Sequence, residues 1–174
     1  MPRIRKGCSY HKLERPYTRI SKFRQKSFIR ANPALRVVRF NMGNDKKKYK
    51  YTLSLRSNRD IQIRDNALES ARQTSNRVLE KVLGAAGYFM KVKLYPHHVL
   101  RENPLAAGAG ADRFSTGMQK AFGKPLGSAA RVKKGQVLFE LRVNKASLEL
   151  ARKALTRAAK KLPCSCLIEI KENK

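Results

Sequence analysis

Acidic residues are scarce in this chain: 12 Asp and Glu stand against 40 Lys and Arg among 174 residues, which gives a formal net charge of +28. A small domain needs a net charge of only about 2 to 8 to stay soluble, and a larger excess destabilises a compact fold by self-repulsion. The imbalance therefore predicts a polyanionic partner. Nucleic acid is favoured, because phosphates accept Lys and Arg and release condensed counterions. An anionic membrane surface is the alternative.

Long apolar runs are also missing. No stretch approaches the ~18 residues of a membrane-spanning helix. Residues 1–6, Met-Pro-Arg-Ile-Arg-Lys, lack the apolar core of a signal peptide. We therefore expect a cytoplasmic protein without a membrane partner.

Cysteine is rare, with Cys8, Cys164 and Cys166 as the three examples. An odd number in a cytoplasmic chain argues against a framework of disulfides. Cys164-x-Cys166 does not have the usual spacing of a metal knuckle, and no second cysteine pair accompanies it. We expect Cys164 and Cys166 to be small, semi-buried side chains near a strand.

No catalytic constellation is recognisable. The histidines are His11, His97 and His98, and the adjacent pair would face opposite ways on a strand, so that the two rings do not easily reach one metal. Gly108-x-Gly110 is too short for a dinucleotide fingerprint, and no phosphate-binding loop motif is present. We predict that the chain is not an enzyme and has no cofactor, catalytic residue or metal site.

Residues 1–34 are predicted to form a basic arm. The first 30 residues contain ten cations and one acid, and no helical or strand period orders their apolar residues. Such a segment buries too little surface to fold alone, so we expect it to be extended and to become ordered on RNA, with cations on phosphates and aromatic rings on unpaired bases. A solvated tail and aromatic rings docked on the protein's own core are the alternatives. The cations assigned to RNA are Arg3, Arg5, Lys6, Lys12, Arg15, Arg19, Lys22, Arg24 and Lys26.

Residues 35–174 are predicted to form one α+β domain. The order of strands, helix, strands, helix and strand is typical of helices packed on a mostly antiparallel sheet. The predicted strands span 35–40, 51–55, 88–95 with a continuation over 96–100 after a bend, 129–132 and 136–143 around a turn at 133–135, and 166–171.

Two helices carry the clearest patterns. The first spans about 66–83, with Asn66 and Glu69 as a capping box or Asp65 as the cap, and ends at Gly84. The second begins after Ser147 and ends before a proline. Its apolar positions fall at steps of three and four: Leu148, Ala151, Leu155, Ala158 and Leu162. A short helix is expected at 115–122.

A loop without core residues separates the two halves of this domain. Between Arg101 and Arg113 the chain is rich in alanine and glycine, with two glycines at 108 and 110. Such composition predicts a mobile loop. The alternative is a spacer without function.

Several motifs in the second half of the chain are long enough to be diagnostic. Together with the two helices and the Met-Pro-Arg start, they extend the match over essentially the whole chain. They are Tyr95-Pro96-His97-His98-Val99-Leu100-Arg101, Ala109-Gly110-Ala111-Asp112-Arg113, Gly117-Met118, Ala121-Phe122-Gly123-Lys124-Pro125 and Ala129-Ala130-Arg131-Val132-x-x-Gly135-Gln136. In these residues the chain resembles the universal large-subunit ribosomal protein sixteen family, which includes the archaeal and eukaryotic proteins called L-ten-e.

The resemblance implies an α/β-hammerhead-like fold and a place in the large subunit between the central protuberance and the base of the factor-binding stalk. It implies large-subunit rRNA, neighbouring ribosomal proteins and tRNA as partners, and it makes subunit maturation factors further candidates. Lys120, Lys124 and Arg131, which lie in or beside the motifs, are assigned to rRNA.

The loop at 101–113 is implied to point toward the peptidyl-transferase centre. Its tRNA-proximal residues would be Arg101, Gly108, Gly110, Asp112 and Arg113. Bacterial members carry basic residues after the Pro-Leu-Ala sequence of this loop, whereas here alanine and glycine follow. Charge therefore remains only at the base of the loop.

The preferred function is that of a structural rRNA-binding protein that helps to position tRNA. A non-ribosomal RNA-binding factor would share the charge but usually shows a recognisable motif. An RNA-modifying enzyme would need a cofactor loop or a general base, and neither is recognisable.

Overall fold

In the part of the chain that the structure describes, two antiparallel sheets and two α-helices build the fold. The computed structural model describes residues 5–13, 18, 21–29, 31–103, 117 and 122–173. This architecture confirms the predicted α+β class. The elements are β1 (Asn41–Gly43), β2 (Tyr51–Ser57), β3 (Ile61–Arg64), α1 (Asp65–Leu83), β4 (Phe89–Val92), β5 (His98–Glu102), β6 (Lys124–Val132), β7 (Val137–Val143), α2 (Leu148–Ala159) and β8 (Cys166–Glu172).

The larger sheet has five strands in the order β1-β4-β7-β2-β8. Strand β2 lies between β7 and β8, with Leu53 opposite Leu141 on one side and Ile170 on the other. Leu53, Leu55 and Leu141 are completely buried. The predicted strands at 51–55 and 166–171 are therefore confirmed, and each is slightly longer than its pattern indicated.

The smaller sheet has three strands in the order β3-β6-β5. Strand β6 is central and pairs Ala130 with Ile63 and Ala129 with His98. The predicted continuation of one strand from 88–95 into 96–100 is wrong, because β4 belongs to the larger sheet and β5 to the smaller one. The turn before Gly135 is confirmed, with a positive φ of 79° at that glycine, and it likewise carries the chain from one sheet to the other.

The predicted strand at 35–40 is also wrong, since the backbone there is irregular. The backbone N–H groups of Arg36 and Val38 donate to the carboxylates of Asp65 and Glu69, both at 3.4 Å. These two N–H groups therefore donate to side chains of α1 and not to the backbone of a neighbouring strand. Val37 is nevertheless buried in the core.

Helix α1 spans the predicted residues and ends at Gly84, which has a φ of 65°. The predicted capping box is wrong. Glu69 instead binds the guanidinium of Arg72, with 2.8 Å between Oε2 and Nε, while the carboxylate of Asp65 accepts the N–H of Asn66 at 2.8 Å. The arginine one turn along the helix offers Glu69 a charged donor, which binds a carboxylate more strongly than a backbone N–H does.

Helix α2 follows Ser147 as predicted, although this serine makes no capping hydrogen bond through its side chain. Ala151, Leu155 and Ala158 are completely buried, which confirms the predicted apolar face. The helix packs on α1, β2 and β7. The core lies between the helices and the larger sheet, and it extends to Ile61, Ile63, Ala130 and Val132 of the smaller sheet.

Some predictions fall outside the described residues. These are the greater part of the loop at 101–113, most of the short helix at 115–122, and the predicted site residues Arg3, Arg15, Arg19, Gly108, Gly110, Asp112, Arg113 and Lys120. Neither helix in the described part of the chain combines the length and apolar composition that crossing a bilayer requires.

Candidate nucleic-acid interface

Five of the described acidic residues form ion pairs with cations of the same chain. Glu140 lies 2.9 Å from both Lys93 and Arg142, and Glu169 lies 2.7 Å from Arg56. Because there are 40 cations and 12 acids, internal pairing cannot neutralise more than a minority of the positive charge. The excess must be neutralised by solvent ions or by a polyanion.

The first part of the basic arm is docked on the smaller sheet. The backbone carbonyl of His11 accepts the N–H of Gln62 at 3.0 Å, and Nε2 of Gln62 donates to the carbonyl of Tyr10 at 3.0 Å. The hydroxyl of Tyr10 donates to Glu102, and burial together with this carboxylate raises the pKa of Tyr10. This ring therefore docks on the protein itself rather than on an RNA base, which was one of the alternatives for the aromatic rings of the arm.

Arg5 is the first predicted RNA-contacting cation that the structure describes. Its Nε lies 3.1 Å from Oε2 of Glu102, although 60% of its side chain is exposed. Glu102 is opposite Lys124 in the register of β5 and β6. The arm thus brings Arg5 to the same end of the sheet as Lys124, two cations from distant parts of the sequence.

Thr18 docks the arm on the edge of β5. Its hydroxyl accepts the N–H of Val99 at 2.9 Å and lies 3.1 Å from Nδ1 of His98. Burial, and then the nearby charges of Arg131 and Arg101, lower the pKa of His98 to about 4. His98 is therefore neutral at physiological pH and acts as a fixed hydrogen-bonding partner in a cationic neighbourhood.

The remaining described cations of the predicted site are directed to solvent. These exposed residues are Lys6, Lys12, Lys22, Arg24, Lys26, Lys124 and Arg131. Nζ of Lys26 lies 5.1 Å from the centre of the Phe23 ring, and 61% of Phe23 is exposed. A cation beside an exposed ring can meet a phosphate and a base together.

Arg101 differs from the other site residues that the structure describes because it is buried. Its guanidinium donates to the backbone carbonyl of Phe122. The two residues lie at opposite ends of the segment that contains the predicted loop. Arg101 therefore closes the base of this segment from inside the protein.

An aromatic cluster at the junction of the two sheets was not predicted from the sequence. The rings of Phe40 and Tyr95 are stacked, with centroids 5.4 Å apart and an angle of 19° between the planes. The ring of His97 lies 4.4 Å from that of Tyr95. The Tyr-Pro-His sequence was a signal for part of this cluster, but nothing local connects it with Phe40.

The two C-terminal cysteines are close but not bonded, with 3.7 Å between Sγ of Cys164 and Sγ of Cys166. The hydrogen bond from Cys166, with smaller contributions from Ser57 and Arg59, lowers the pKa of Cys164 to about 6, and the same pairing raises the pKa of Cys166. Cys164 is buried and Cys166 half-buried, so the predicted environment is confirmed. The described residues contain no group of three or more side chains suited to a metal ion.

Comparison with known proteins identifies the family. Residues 15–169 match the family described as ribosomal protein L16p/L10e. Three similar archaeal relatives each carry the name large ribosomal subunit protein uL16. The protein from Staphylothermus marinus is 45% identical over 98% of this chain and 95% of its own length. The corresponding values are 43%, 94% and 90% for Archaeoglobus fulgidus, and 42%, 98% and 96% for Methanococcus maripaludis. The chain therefore belongs to the ribosomal protein L16p/L10e family, as its motifs predict.

Proposed function

We propose that this chain is a structural constituent of the large ribosomal subunit, where it binds large-subunit rRNA. The observation that carries the proposal is the likeness to relatives named as large-subunit proteins over nearly the full chain. The family is one of ribosomal proteins, which agrees with the expectation that the chain is not an enzyme. We place it in the cytoplasmic ribosome, in contact with neighbouring ribosomal proteins.

The charge distribution supports the rRNA contact. The arm at 1–34 and the body at 35–174 would bind as two parts of one surface, because Arg5 of the arm lies beside the end of β5. If six to ten phosphates are contacted, affinity should fall by roughly 10³ to 10⁵ between ~50 and ~200 mM salt. Arg3, Arg15, Arg19 and Lys120 remain proposed contacts on sequence grounds.

The finer part of the proposal is that the chain helps to position tRNA near the peptidyl-transferase centre. The segment at 101–113 would make this contact, with Arg101 as its inner brace and Arg113 as a charge at its base. The hydrogen bond from Arg101 to the backbone carbonyl of Phe122 holds the two ends of the segment together, which supports this proposal. Subunit maturation factors are further proposed partners of the same segment.

Sedimentation with large subunits tests the first part of the proposal. Subunits stripped of their own family member would be mixed with labelled chain, washed in high salt and pelleted, and we expect the chain to remain bound. Reversing the charge of Lys22, Arg24 and Lys26 should weaken retention and flatten the salt dependence.

The matched control reverses Lys46, Lys47 and Lys48. These three residues are consecutive and exposed, and they lie in the connection between β1 and β2. Their reversal changes the net charge by the same amount as reversal of the three arm residues. Equal losses in both variants would indicate non-specific attraction. Release of the wild-type chain in high salt would contradict the proposal and favour a non-ribosomal RNA-binding factor.

A further inference from the structure

The cluster of Phe40, Tyr95 and His97, which we call the aromatic platform, is unusually exposed for three rings in contact. Half of Tyr95 is accessible to solvent, and His97 is also exposed. The rings are held there by the backbone. The N–H of His97 donates to the carbonyl of Tyr95 at 3.0 Å, while Pro96 between them is buried. Two neighbouring rings therefore stay at the surface although apolar burial favours covering them.

The aromatic platform lies where the chain passes between the two sheets. The N–H of Val92 donates to the carbonyl of Phe40 at 2.8 Å, and the N–H of Lys93 donates to the carbonyl of Leu138 at 2.9 Å. These bonds hold both sides of the platform to the larger sheet. The platform is thus a rigid surface, and a ligand that binds there meets rings already in position.

A cleft of about 310 Å³ adjoins the platform. Its wall includes Tyr95, His97, Lys93, Arg131 and Gln136. Nζ of Lys93 is fixed by Glu140 at 2.9 Å, and Oε1 of Gln136 accepts the N–H of Lys133 at 3.0 Å. The cleft therefore combines ring surface, two cations and an oriented amide within one small volume.

We propose that the aromatic platform and its cleft bind one unpaired nucleobase of RNA. The base would stack on the exposed ring surface of Tyr95 and His97. Lys93 and Arg131 would meet its flanking phosphates, and the amide N–H groups of Gln136 could donate to an acceptor on the base edge. Proteins recognise unpaired RNA by this combination of stacking and charge. The inference rests on the proposed function and specifies one contact within it.

The size and charge of the cleft favour this occupant. Ligand pockets usually measure about 300–1,000 Å³, so this one suits a single base and is small for a folded peptide segment. The bases of a continuous duplex already stack on one another and are not presented to an aromatic side chain. The cations on the wall are Arg131 and Lys93, the latter paired with Glu140, and the described residues of the wall include no carboxylate, which favours a ligand with phosphates over a cationic peptide.

Photochemical cross-linking tests the proposal on the full-length chain. The probe is a short single-stranded oligouridylate with one 5-iodouridine, whose iodouracil forms a covalent bond with an adjacent aromatic side chain on irradiation. We expect the cross-link at Tyr95 or His97, mapped by mass spectrometry. The same oligonucleotide paired with its complement should give little product at these residues.

Substitutions separate stacking from general attraction. Tyr95→Leu and His97→Leu should each weaken binding of the single-stranded probe by about 5- to 150-fold, which corresponds to about 1–3 kcal/mol for one stacked base. Tyr95→Phe and His97→Phe should largely restore it, because both keep a ring. Tyr51→Leu is the matched control. It removes an aromatic ring at the first residue of β2, which is not part of the platform. Thermal unfolding verifies that each variant is folded.

Three results with the isolated chain would overturn the inference. They are cross-links confined to other residues, equal cross-linking of single strand and duplex, and unchanged affinity in both leucine variants. In intact subunits, a cross-link from the platform to a neighbouring protein rather than to RNA would also overturn it. If the chain stays on the large subunit in high salt but gives any of these results, the nucleobase site at the platform is rejected and the proposed function stands. Release from the subunit would count against the proposed function instead.

Discussion

Glu69 and Arg72 form a bidentate ion pair on the buried side of α1, with 2.8 Å between Oε2 and Nε and 2.5 Å between Oε1 and the second guanidinium nitrogen. Only 12% and 11% of the two side chains are exposed. The same carboxylate accepts the N–H of Val38. The pair thus connects the irregular segment before β1 to the helix.

Removing one partner should be costly because it leaves a buried charge without its counterion. We expect Glu69→Ala to lower the free energy of unfolding by about 3–5 kcal/mol. Urea unfolding measures the change, with Glu149→Ala on the exposed side of α2 as the control. A loss no larger than that of the control would show that solvent replaces the pair at little cost.

The same pair predicts a dependence on pH. The hydrogen bond from Arg72 lowers the pKa of Glu69 below its ordinary value of 4.5. Its contribution is therefore complete above that value and is lost as pH falls through the lower pKa of the folded state. The difference in unfolding free energy between wild type and Glu69→Gln should shrink on acidification below about pH 4.5. A difference that stays constant down to low pH would contradict the shift.

The next prediction concerns the face of α2. Leu155 is completely buried, and Leu155→Ala should cost about 2–5 kcal/mol by leaving a cavity. Arg157 is exposed on the same helix, so Arg157→Ala should leave the melting temperature nearly unchanged while it weakens RNA binding if this surface faces rRNA. Equal melting temperatures for Leu155→Ala and wild type would show that the helix packs by another face.

Local patterns predicted the helices and several strands because their signals lie within a few residues. Gly84 ends α1, and the spacing of Ala151, Leu155 and Ala158 defines the buried side of α2. The division into two sheets had no such signal. Strand β2 pairs with β8 so that Tyr51 and Glu172, 121 residues apart, form a hydrogen bond. Such pairings depend on long-range packing, which periodicity does not encode.

The candidate site shows the same division. Exposed cations such as Lys22 and Lys124 were predicted individually, because a charged side chain is rarely buried without a partner. The exceptions are residues whose partners come from distant elements. Arg101 bonds the carbonyl of Phe122, and the contact of Phe40 with Tyr95 joins an irregular segment to a strand end. Neither contact follows from composition or spacing.

Another prediction concerns the docking of the arm. Because the hydroxyl of Thr18 accepts the N–H of Val99 at the edge of β5, Thr18→Val should expose that amide and accelerate its hydrogen exchange. Thr18→Ser keeps the hydroxyl and should restore protection. Since His98 keeps a pKa near 4, the protection should be similar at pH 7 and at about pH 5.5, where the imidazole is still mostly neutral. Unchanged exchange in Thr18→Val would show that the arm does not cover this edge.

The last prediction concerns the segment at 101–113 and bears on mechanism. Between Ala106 and Ala111 the sequence offers no side chain larger than a methyl group, and fixing each residue in one conformation costs about 1–2 kcal/mol. We expect a binding partner to supply that free energy, which suits the proposed transient contact with tRNA or a maturation factor. Small side chains also allow the backbone to approach a nucleic acid closely.

Deletion of residues 106–111 distinguishes this role from that of a spacer. Because Arg101 and Phe122 are joined outside the deleted part, the shortened chain should fold with an unchanged melting temperature and still join the large subunit. Reconstituted subunits should then make peptide more slowly or less accurately. Gly108→Ala with Gly110→Ala is the matched variant that keeps the length and restricts the backbone, and it should show a smaller defect. Normal subunit joining, rate and accuracy with the deleted chain would establish that the segment is a spacer, since neither tRNA nor a maturation factor would then require it.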